Sequence, residues 1–207
     1  EMGGTALNAP DDDVLSYVHW FFAHEAAHLF QIDRGVGFAS GAQSWIHEGA
    51  ANTMAYSLIA SMMEQDGAKR FLAGVYGRAF DECVTTLEAG PLATAAEREA
   101  FSAHYSCGDF IALATDGFLK QRNLYGFWNR LVSMAKGEPD EKVDEDTYFS
   151  TMQILGATKA QRNAVRALVE GRPDNARKTL TNLLEKAGLE PEFSAGGQLI
   201  ALKWPDY

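Results

Sequence analysis

The chain has 207 residues, a formal net charge of −10 and 46% hydrophobic residues. This length fits one domain, or two subdomains, with a substantial core. The negative charge argues against a nucleic-acid partner and against binding to anionic membranes, and no apolar run reaches the roughly 18 residues that a transmembrane helix needs.

The first predicted helix runs from residue 14 to residue 32, an interval that contains neither Gly nor Pro. The three aspartates at residues 11–13 are suited to cap its start, and Gly35 and Gly37 are expected to end it. Its apolar residues are expected to form a face that packs into the core: Val14, Val18, Phe21, Phe22, Leu29 and Ile32.

The sequence His24-Glu25-Ala26-Ala27-His28 lies inside this helix. Four helical residues turn through about 400° and rise about 6 Å, so both imidazoles can reach one metal ion. This H-E-x-x-H spacing is typical of catalytic zinc sites, where the glutamate takes a proton from the activated water. Glu25 is therefore the candidate general base. The alternative is an amphipathic helix whose histidines have ordinary hydrogen-bond partners.

A second predicted helix spans residues 45–65 and supplies the candidate third ligand, Glu48. Twenty residues separate His28 from Glu48, which is enough chain for a loop and an antiparallel return. Asn52 lies one turn further on the same face, where it can hold a ligand histidine in place. The alternative is that Glu48 is an ordinary first-turn acid, favoured by the helix dipole.

The remaining sequence predicts a mainly α fold with little β structure. Helices are expected over residues 68–87, 97–120, 124–135, 144–155, 158–169 and 173–187. A short strand is expected over residues 194–202. The breaker at residues 137–141 separates a zinc subdomain, residues 1–136, from a C-terminal helical extension, residues 137–207. Cys83 and Cys107 form either one disulfide or two buried thiols.

The motifs resemble those of the gluzincin metallopeptidases, whose second zinc helix carries W-x-x-E-G, here at residues 45–49. Residues 105–108 with Asp116 are similar to the Y-x-K-G…D helix of that clan. The glycyl aminopeptidase family is the best fit, because its V-E-G and L-L-x-x-x-G-L motifs match residues 169–171 and 183–189. The resemblance implies a thermolysin-like α subdomain that represents a fragment of a catalytic domain.

The resemblance also implies one Zn²⁺ per chain and a peptide or protein substrate. The implied zinc ligands are His24, His28 and Glu48. Tyr105 would donate its phenol O–H to the oxyanion that forms during hydrolysis, although a tyrosine packed in the core is the alternative. His104 either shares this role or packs. His19 and His47 are not interpreted as ligands.

The chain departs from the family pattern at three places. Cys107 replaces the lysine of Y-x-K-G, and Phe30 replaces a tryptophan. Residues 3–8 lack the glutamate that holds a substrate ammonium in related aminopeptidases. Gly3 and Gly4 are still expected to bind an extended peptide through main-chain hydrogen bonds. The aminopeptidase and endopeptidase alternatives therefore stay open, and we expect cleavage that does not require a free N-terminus.

Two other functions fit the same residues. The first is a peptidase-like scaffold that binds zinc or peptide without hydrolysis, although the intact Glu25 argues against it. The second is a structural zinc site, which usually has four protein ligands, mostly cysteines. The chain begins at Glu1 rather than at Met. We expect a processed or excised piece that has lost its targeting signal, and a bacterial periplasmic or secreted location rather than a cytoplasmic one.

Overall fold

The computed structural model describes residues 12–32, 36–39, 41–138 and 140–203, with side chains from residue 17 onward. Gly3 and Gly4 lie outside these residues. Helices dominate the described chain, which confirms the predicted mainly α class. Eight α-helices occur there: α1 Asp12–Gln31, α2 Trp45–Ser61, α3 Gln65–Ala89, α4 Ser102–Phe118, α5 Leu124–Ala135, α6 Glu145–Ile154, α7 Lys159–Glu170 and α8 Ala176–Lys186. Four short strands accompany them: β1 Gly37–Phe38, β2 Lys142–Val143, β3 Glu190–Phe193 and β4 Leu199–Lys203.

Helices α2 and α4 form the centre of the fold, and they touch backbone to backbone. A Cβ atom at Gly49 would overlap the carbonyl group of Gly108, and one at Gly108 would lie 2.7 Å from the carbonyl oxygen of Trp45. Only glycine fits at such a crossing. The residues around it are small or apolar, so α2 is buried over most of its length.

Helix α1 lies on α2 with an inner face that is partly polar. His24, Ala27 and Gln31 are buried, whereas Val18, Phe21, Phe22, Leu29 and Ile32 are exposed. The prediction that these apolar residues pack into the core is therefore wrong. The buried polar residues find hydrogen-bond partners on α2 or within α1, and the helix cannot turn both faces inward. Val14 lies outside the residues with described side chains.

A disulfide between Cys83 and Cys107 joins α3 to α4. Both residues are fully buried. Of the two alternatives left open by the sequence, the structure has the disulfide. Because Cys107 follows Tyr105 by two residues, the bond anchors the part of α4 that lies nearest the candidate site.

The C-terminal helices begin at clear capping residues. Asp144 and Thr147 form a capping box at the start of α6, and Thr158 and Gln161 form one at α7. Helix α8 begins at Ala176, after the Asn175 cap, rather than at residue 173 as predicted. Side chains that accept backbone N–H groups determine these starts.

The V-E-G and L-L-x-x-x-G-L motifs lie at helix ends. Val169 and Leu184 are fully buried. Gly188 has φ of +80°, and the N–H of Leu189 donates to the carbonyl of Leu184 at 3.0 Å. This arrangement is a glycine-dependent stop for α8. Both motifs therefore serve packing and helix termination in this fold.

The predicted terminal strand is wrong in its extent. An antiparallel pair, β3 with β4, replaces a single strand over residues 194–202. The chain reverses between them, and Gly197 in this turn has φ of +79°. The pair packs on α3, while α8 packs on α3 and α4.

One hydrophobic cluster contains residues on both sides of residue 137. The parallel pairing of β1 with β2 also connects the two segments. The boundary between residues 136 and 137 stays a prediction. None of the described helices combines the length and the hydropathy needed to cross a membrane.

Candidate metal centre

Three side chains from α1 and α2 converge on one point. The Oε2 atom of Glu48 lies 3.2 Å from Nε2 of His24 and 3.2 Å from Nε2 of His28. All three donor atoms lie within 4.8 Å of one another. One turn of α1 separates the histidines, and Glu48 lies in the first turn of α2. The side chains of His28 and Glu48 are 20% and 18% exposed, so the group opens toward solvent.

The orientation of His24 is determined by Asn52. The indole N–H of Trp20 donates to Oδ1 of Asn52 at 3.0 Å, which identifies that atom as the amide oxygen. The Nδ1 atom of His24 lies 2.8 Å from the same oxygen and must therefore carry a proton. In the neutral imidazole the lone pair is then on Nε2, which faces Glu48.

Gln31 has the same effect on His28, a role that the predictions from sequence did not include. Its Nε2–H donates to the backbone carbonyl of His47 at 3.0 Å, so its Oε1 faces His28. Nδ1 of His28 donates to this oxygen at 2.8 Å, which leaves the lone pair on Nε2. Gln31 is fully buried. Its position three residues after His28, on the same helix face, was the available sequence signal.

His47 contacts the ligand group from the other side of Glu48. Its Nε2 lies 3.4 Å from Oε1 of Glu48, and its ring stacks on Phe38 with centroids 4.2 Å apart. His47 is thus a neighbour of the carboxylate oxygen that the other histidines do not touch. The predictions from sequence did not include this role.

The electrostatics of the group favour a charged Glu48. Burial raises the pKa of Glu48, but hydrogen bonds from His24, His28 and His47, which the imidazoles donate when Nε2 carries a proton, outweigh it and hold that pKa well below its usual range. Burial lowers the pKa of His28, while hydrogen bonds with Glu48 and Gln31 raise it, with a net increase. Protons and a metal ion therefore compete for the same Nε2 atom of His28.

Tyr105 and Glu25 flank the three donors. The Tyr105 ring lies 5.7 Å, between centroids, from the imidazole of His24. Burial, the charge and hydrogen bond of Glu48, and the charge of Glu25 raise the pKa of Tyr105 to about 12. The phenol is therefore protonated at neutral pH and can donate a hydrogen bond. Glu25 is exposed, so its carboxylate is accessible to solvent.

His104 lies beneath this surface. It is 3% exposed, and its Nε2 has no hydrogen-bond partner among the described residues. Burial and the nearby His47 lower the pKa of His104. The side chain packs inside the fold, and its contact with substrate stays a prediction.

Asp116, the last residue of the Y-x-x-G…D segment, lies about three turns after Tyr105, near the end of α4. Its carboxylate accepts the backbone N–H groups of Asn123 and Leu124, where α5 begins. Burial raises its pKa, and those hydrogen bonds and Arg122 counter the increase.

The donor set suits zinc. Two imidazoles and one carboxylate form a three-ligand set that leaves a coordination position open, as catalytic zinc sites do. Tetrahedral coordination with bonds of about 2.0–2.2 Å puts neighbouring ligand atoms about 3.3–3.6 Å apart. The two nitrogen–oxygen distances of 3.2 Å are close to that spacing. Both Nε2 lone pairs also face the carboxylate, so the histidines need no rotation to bind a cation.

Comparison with known proteins finds no family model, no curated protein and no solved structure that matches the chain. The resemblance to gluzincins depends on the motifs alone.

Proposed function

We propose that the protein is a zinc metallopeptidase of the gluzincin type, similar to the glycyl aminopeptidase family, that hydrolyses peptide bonds. The main support is the convergence of His24, His28 and Glu48, with both imidazole Nδ1 atoms already bonded to amide oxygens. An ordinary pair of packed histidines does not require this arrangement. A carboxylate that is free to react, Glu25, lies beside it.

His24, His28 and Glu48 would hold the ion. Zinc in such an open site lowers the pKa of water toward about 7 and polarises a carbonyl group. Glu25 accepts the proton of the attacking water and delivers it to the leaving amine. The Tyr105 phenol donates a hydrogen bond to the oxygen of the scissile carbonyl as negative charge develops there.

The substrate is a peptide or a protein. Glu25 and Tyr105 suit a reaction in which water adds to a carbonyl group and an amine leaves. We propose that a free N-terminus is not required, because residues 3–8 contain no acid to hold an ammonium. The same peptides with free and acetylated N-termini test this point. Strict dependence on the free amine would contradict it.

A periplasmic or secreted location is part of the proposal. The buried disulfide between Cys83 and Cys107 supports it, since disulfides persist mainly in oxidising compartments.

Glu25→Gln is the test of the mechanism. The amide cannot accept a proton, so we expect peptide hydrolysis to fall by at least about 10²-fold, the usual contribution of a general base. Zinc content and unfolding temperature should stay at the wild-type values, because Glu25 is not among the ligands. Glu88→Gln, which changes an exposed glutamate on α3 in the same way, is the control and should keep full activity.

Two outcomes would oppose the proposal. Wild-type hydrolysis retained in Glu25→Gln would show that the chemistry occurs elsewhere. A wild-type protein that binds zinc but cleaves nothing in a broad peptide panel would favour the scaffold alternative.

A further inference from the structure

A groove of about 580 Å³ lies between the beginning of α3 and strand β4. Its lining consists of Lys69, Arg70, Leu72 and Ala73 from α3 and of residues 200–203 from β4. None of the residues assigned to the candidate metal centre belongs to it. Sites for small ligands typically have volumes of about 300–1,000 Å³, so the groove has the size of a binding site.

The groove is closed at one end and open at the other. A Cβ atom at Gly77 would lie 2.7 Å from the carbonyl oxygen of Leu199, so α3 and β4 touch closely at this point. From Gly77 back to Lys69, α3 rises about 12 Å, and from Leu199 to Lys203, β4 extends about 13 Å. The two elements therefore run side by side from a closed end at Leu199 to an open end at Lys69 and Lys203.

The walls of the groove are apolar. Leu72 and Leu202 pack against the core but are only partly buried, and Ile200 is 50% exposed. Ala73 and Ala201 complete the walls. No uncharged polar side chain occurs among the described residues that line the groove. An apolar chain would therefore bury these surfaces favourably, whereas a polar group in the same place would lack a side-chain partner.

The open end of the groove is positively charged. The side chains of Lys69, Arg70 and Lys203 are exposed, and the described lining contains no acid. Lys69 pairs with Asp66 at 3.7 Å and Lys203 pairs with Glu192, but both pairs are exposed and therefore weak. Arg70 has no ion pair or hydrogen bond with another described residue. Three cations at one end are a local excess of positive charge in a chain of net charge −10.

These two parts of the groove favour a ligand with an anionic head and an apolar tail. The planar guanidinium group of Arg70 suits a carboxylate, which can accept two parallel N–H bonds from it. An extended peptide is a poorer fit, because its main-chain N–H and C=O groups would face apolar walls. The contact of Leu199 with Gly77 also blocks this edge of β4. An alkyl chain has no polar groups to satisfy.

We propose that the groove binds a medium-chain fatty-acid anion. The carboxylate lies at the open end, where Arg70, Lys69 and Lys203 bind it, and the alkyl chain extends between α3 and β4 toward Gly77. This binding does not depend on the proposed peptidase function, because the groove shares no residue with the candidate metal centre.

Calorimetric titration of the full chain with decanoate tests the proposal. Decanol has the same tail without the charge, acetate has the charge without the tail, and octanoate has a shorter tail. Arg70→Gln and Lys203→Gln each remove one cation. Arg78→Gln, at an exposed position of α3 outside the groove, is the matched control. Amide chemical shifts in ¹H–¹⁵N correlation spectra locate the bound ligand.

We expect each methylene group between octanoate and decanoate to tighten binding by up to about fourfold, the value for a buried CH₂ group. Arg70→Gln should weaken decanoate binding by about fivefold or more, since hydrogen bonds between charged groups are among the stronger ones. Lys203→Gln should have a smaller effect, because Lys203 also pairs with Glu192, and Arg78→Gln should have none. Decanol should bind more weakly than decanoate, and the shifts should occur in β4 and at the beginning of α3.

A wild-type protein that does not bind decanoate would overturn the proposal. Equal affinities for decanoate and decanol, or an unchanged affinity in Arg70→Gln, would overturn it as well, because the cations would then not recognise the ligand. Shifts on the exposed apolar side of α1 instead of β4 would show unspecific apolar binding. A blocked acidic peptide that displaces decanoate and binds more tightly would assign the groove to a protein partner instead.

Discussion

Helices α1 and α2 carry the three donor atoms, yet they are held in the fold by opposite means. On α1 the outward side chains Tyr17, Phe22 and Leu29 are 62%, 67% and 70% exposed. On α2, Ile46 and Met54 are 3% and 2% exposed, and most of their neighbours are buried too. This difference in side-chain exposure indicates that apolar packing positions α2, whereas the packing of α1 on α2 depends heavily on the polar contacts of the candidate centre.

The two kinds of attachment differ in strength. A typical hydrogen bond contributes a net of about 0.5–1.5 kcal/mol, while a fully buried large apolar side chain contributes about 1.5–3 kcal/mol. A cation bound by His24, His28 and Glu48 would join α1 to α2 directly. We therefore expect zinc to stabilise α1 far more than α2 or α4, and the following predictions test that contrast.

The largest effect is expected for Glu48→Ala. A structural zinc site with four ligands binds with about 10–16 kcal/mol, so loss of one ligand should cost roughly 3–4 kcal/mol, or about 10²–10³-fold in affinity. Zinc should slow amide hydrogen exchange in α1 of the wild type but not of the variant. Glu170→Ala, on α7, is the control. Full zinc occupancy in Glu48→Ala would refute the third-ligand assignment.

The next effect concerns the disulfide between α3 and α4, which should stabilise the fold whether or not zinc is bound. Replacement of Cys83 and Cys107 by alanine opens a loop with a sequence separation of 24 residues. The chain-entropy relation gives a loss of about 3.5 kcal/mol in the free energy of unfolding. Denaturant titration measures it. Because the disulfide joins α3 to α4, zinc should slow amide hydrogen exchange in α1 of this variant as it does in the wild type. Loss of that protection would contradict the expectation that zinc stabilises mainly α1.

Gln31→Leu should have a moderate effect. It removes the acceptor of the His28 Nδ1–H and the donor to the His47 carbonyl. Such changes typically lower metal affinity by about 10–100-fold. Isothermal titration with zinc measures the change, and Gln153→Leu, at an exposed position of α6, is the control. An affinity equal to that of the wild type would mean that Gln31 only packs.

The smallest effect is expected for Leu29→Ala on the outer face of α1. An exposed side chain away from special features changes stability by less than about 0.5 kcal/mol. Met54→Ala, the matched change on buried α2, should cost about 2–5 kcal/mol. Chemical denaturation of both variants compares them. A large loss for Leu29→Ala would show that another part of the protein covers this face.

Local sequence signals predicted most of the helices. The bounds of α5 agree with the prediction at both ends. Asn123 caps its start, and its buried apolar residues recur with the period of an α-helix. The β3–β4 pair was not predicted as a pair, because β3 contains Pro191 between two glutamates and lacks the usual strand composition. The exposed face of α1 was assigned to the core because periodicity identifies an apolar face but not its direction.

The candidate centre was predictable to the extent that it depends on spacing within one helix. His24 and His28 are one turn apart in any α-helix, and Glu48 came from the W-x-x-E-G resemblance. The contacts of His47 with Glu48 and of Gln31 with the His47 carbonyl depend on how the chain segments around α1 and α2 pack together. Such tertiary packing leaves no regular period in the sequence.

The contact of Gly49 with Gly108 has a consequence for protein engineering. It joins α2 to α4 through main-chain atoms, one residue after Glu48 and three residues after Tyr105. The distance between carboxylate and phenol is therefore set by a junction without side chains, and substitutions elsewhere in the surrounding wall leave that junction unchanged. A library that varies the cleft while both glycines are retained would explore new specificities on a constant frame, whereas one added methyl group at either position would move the frame itself.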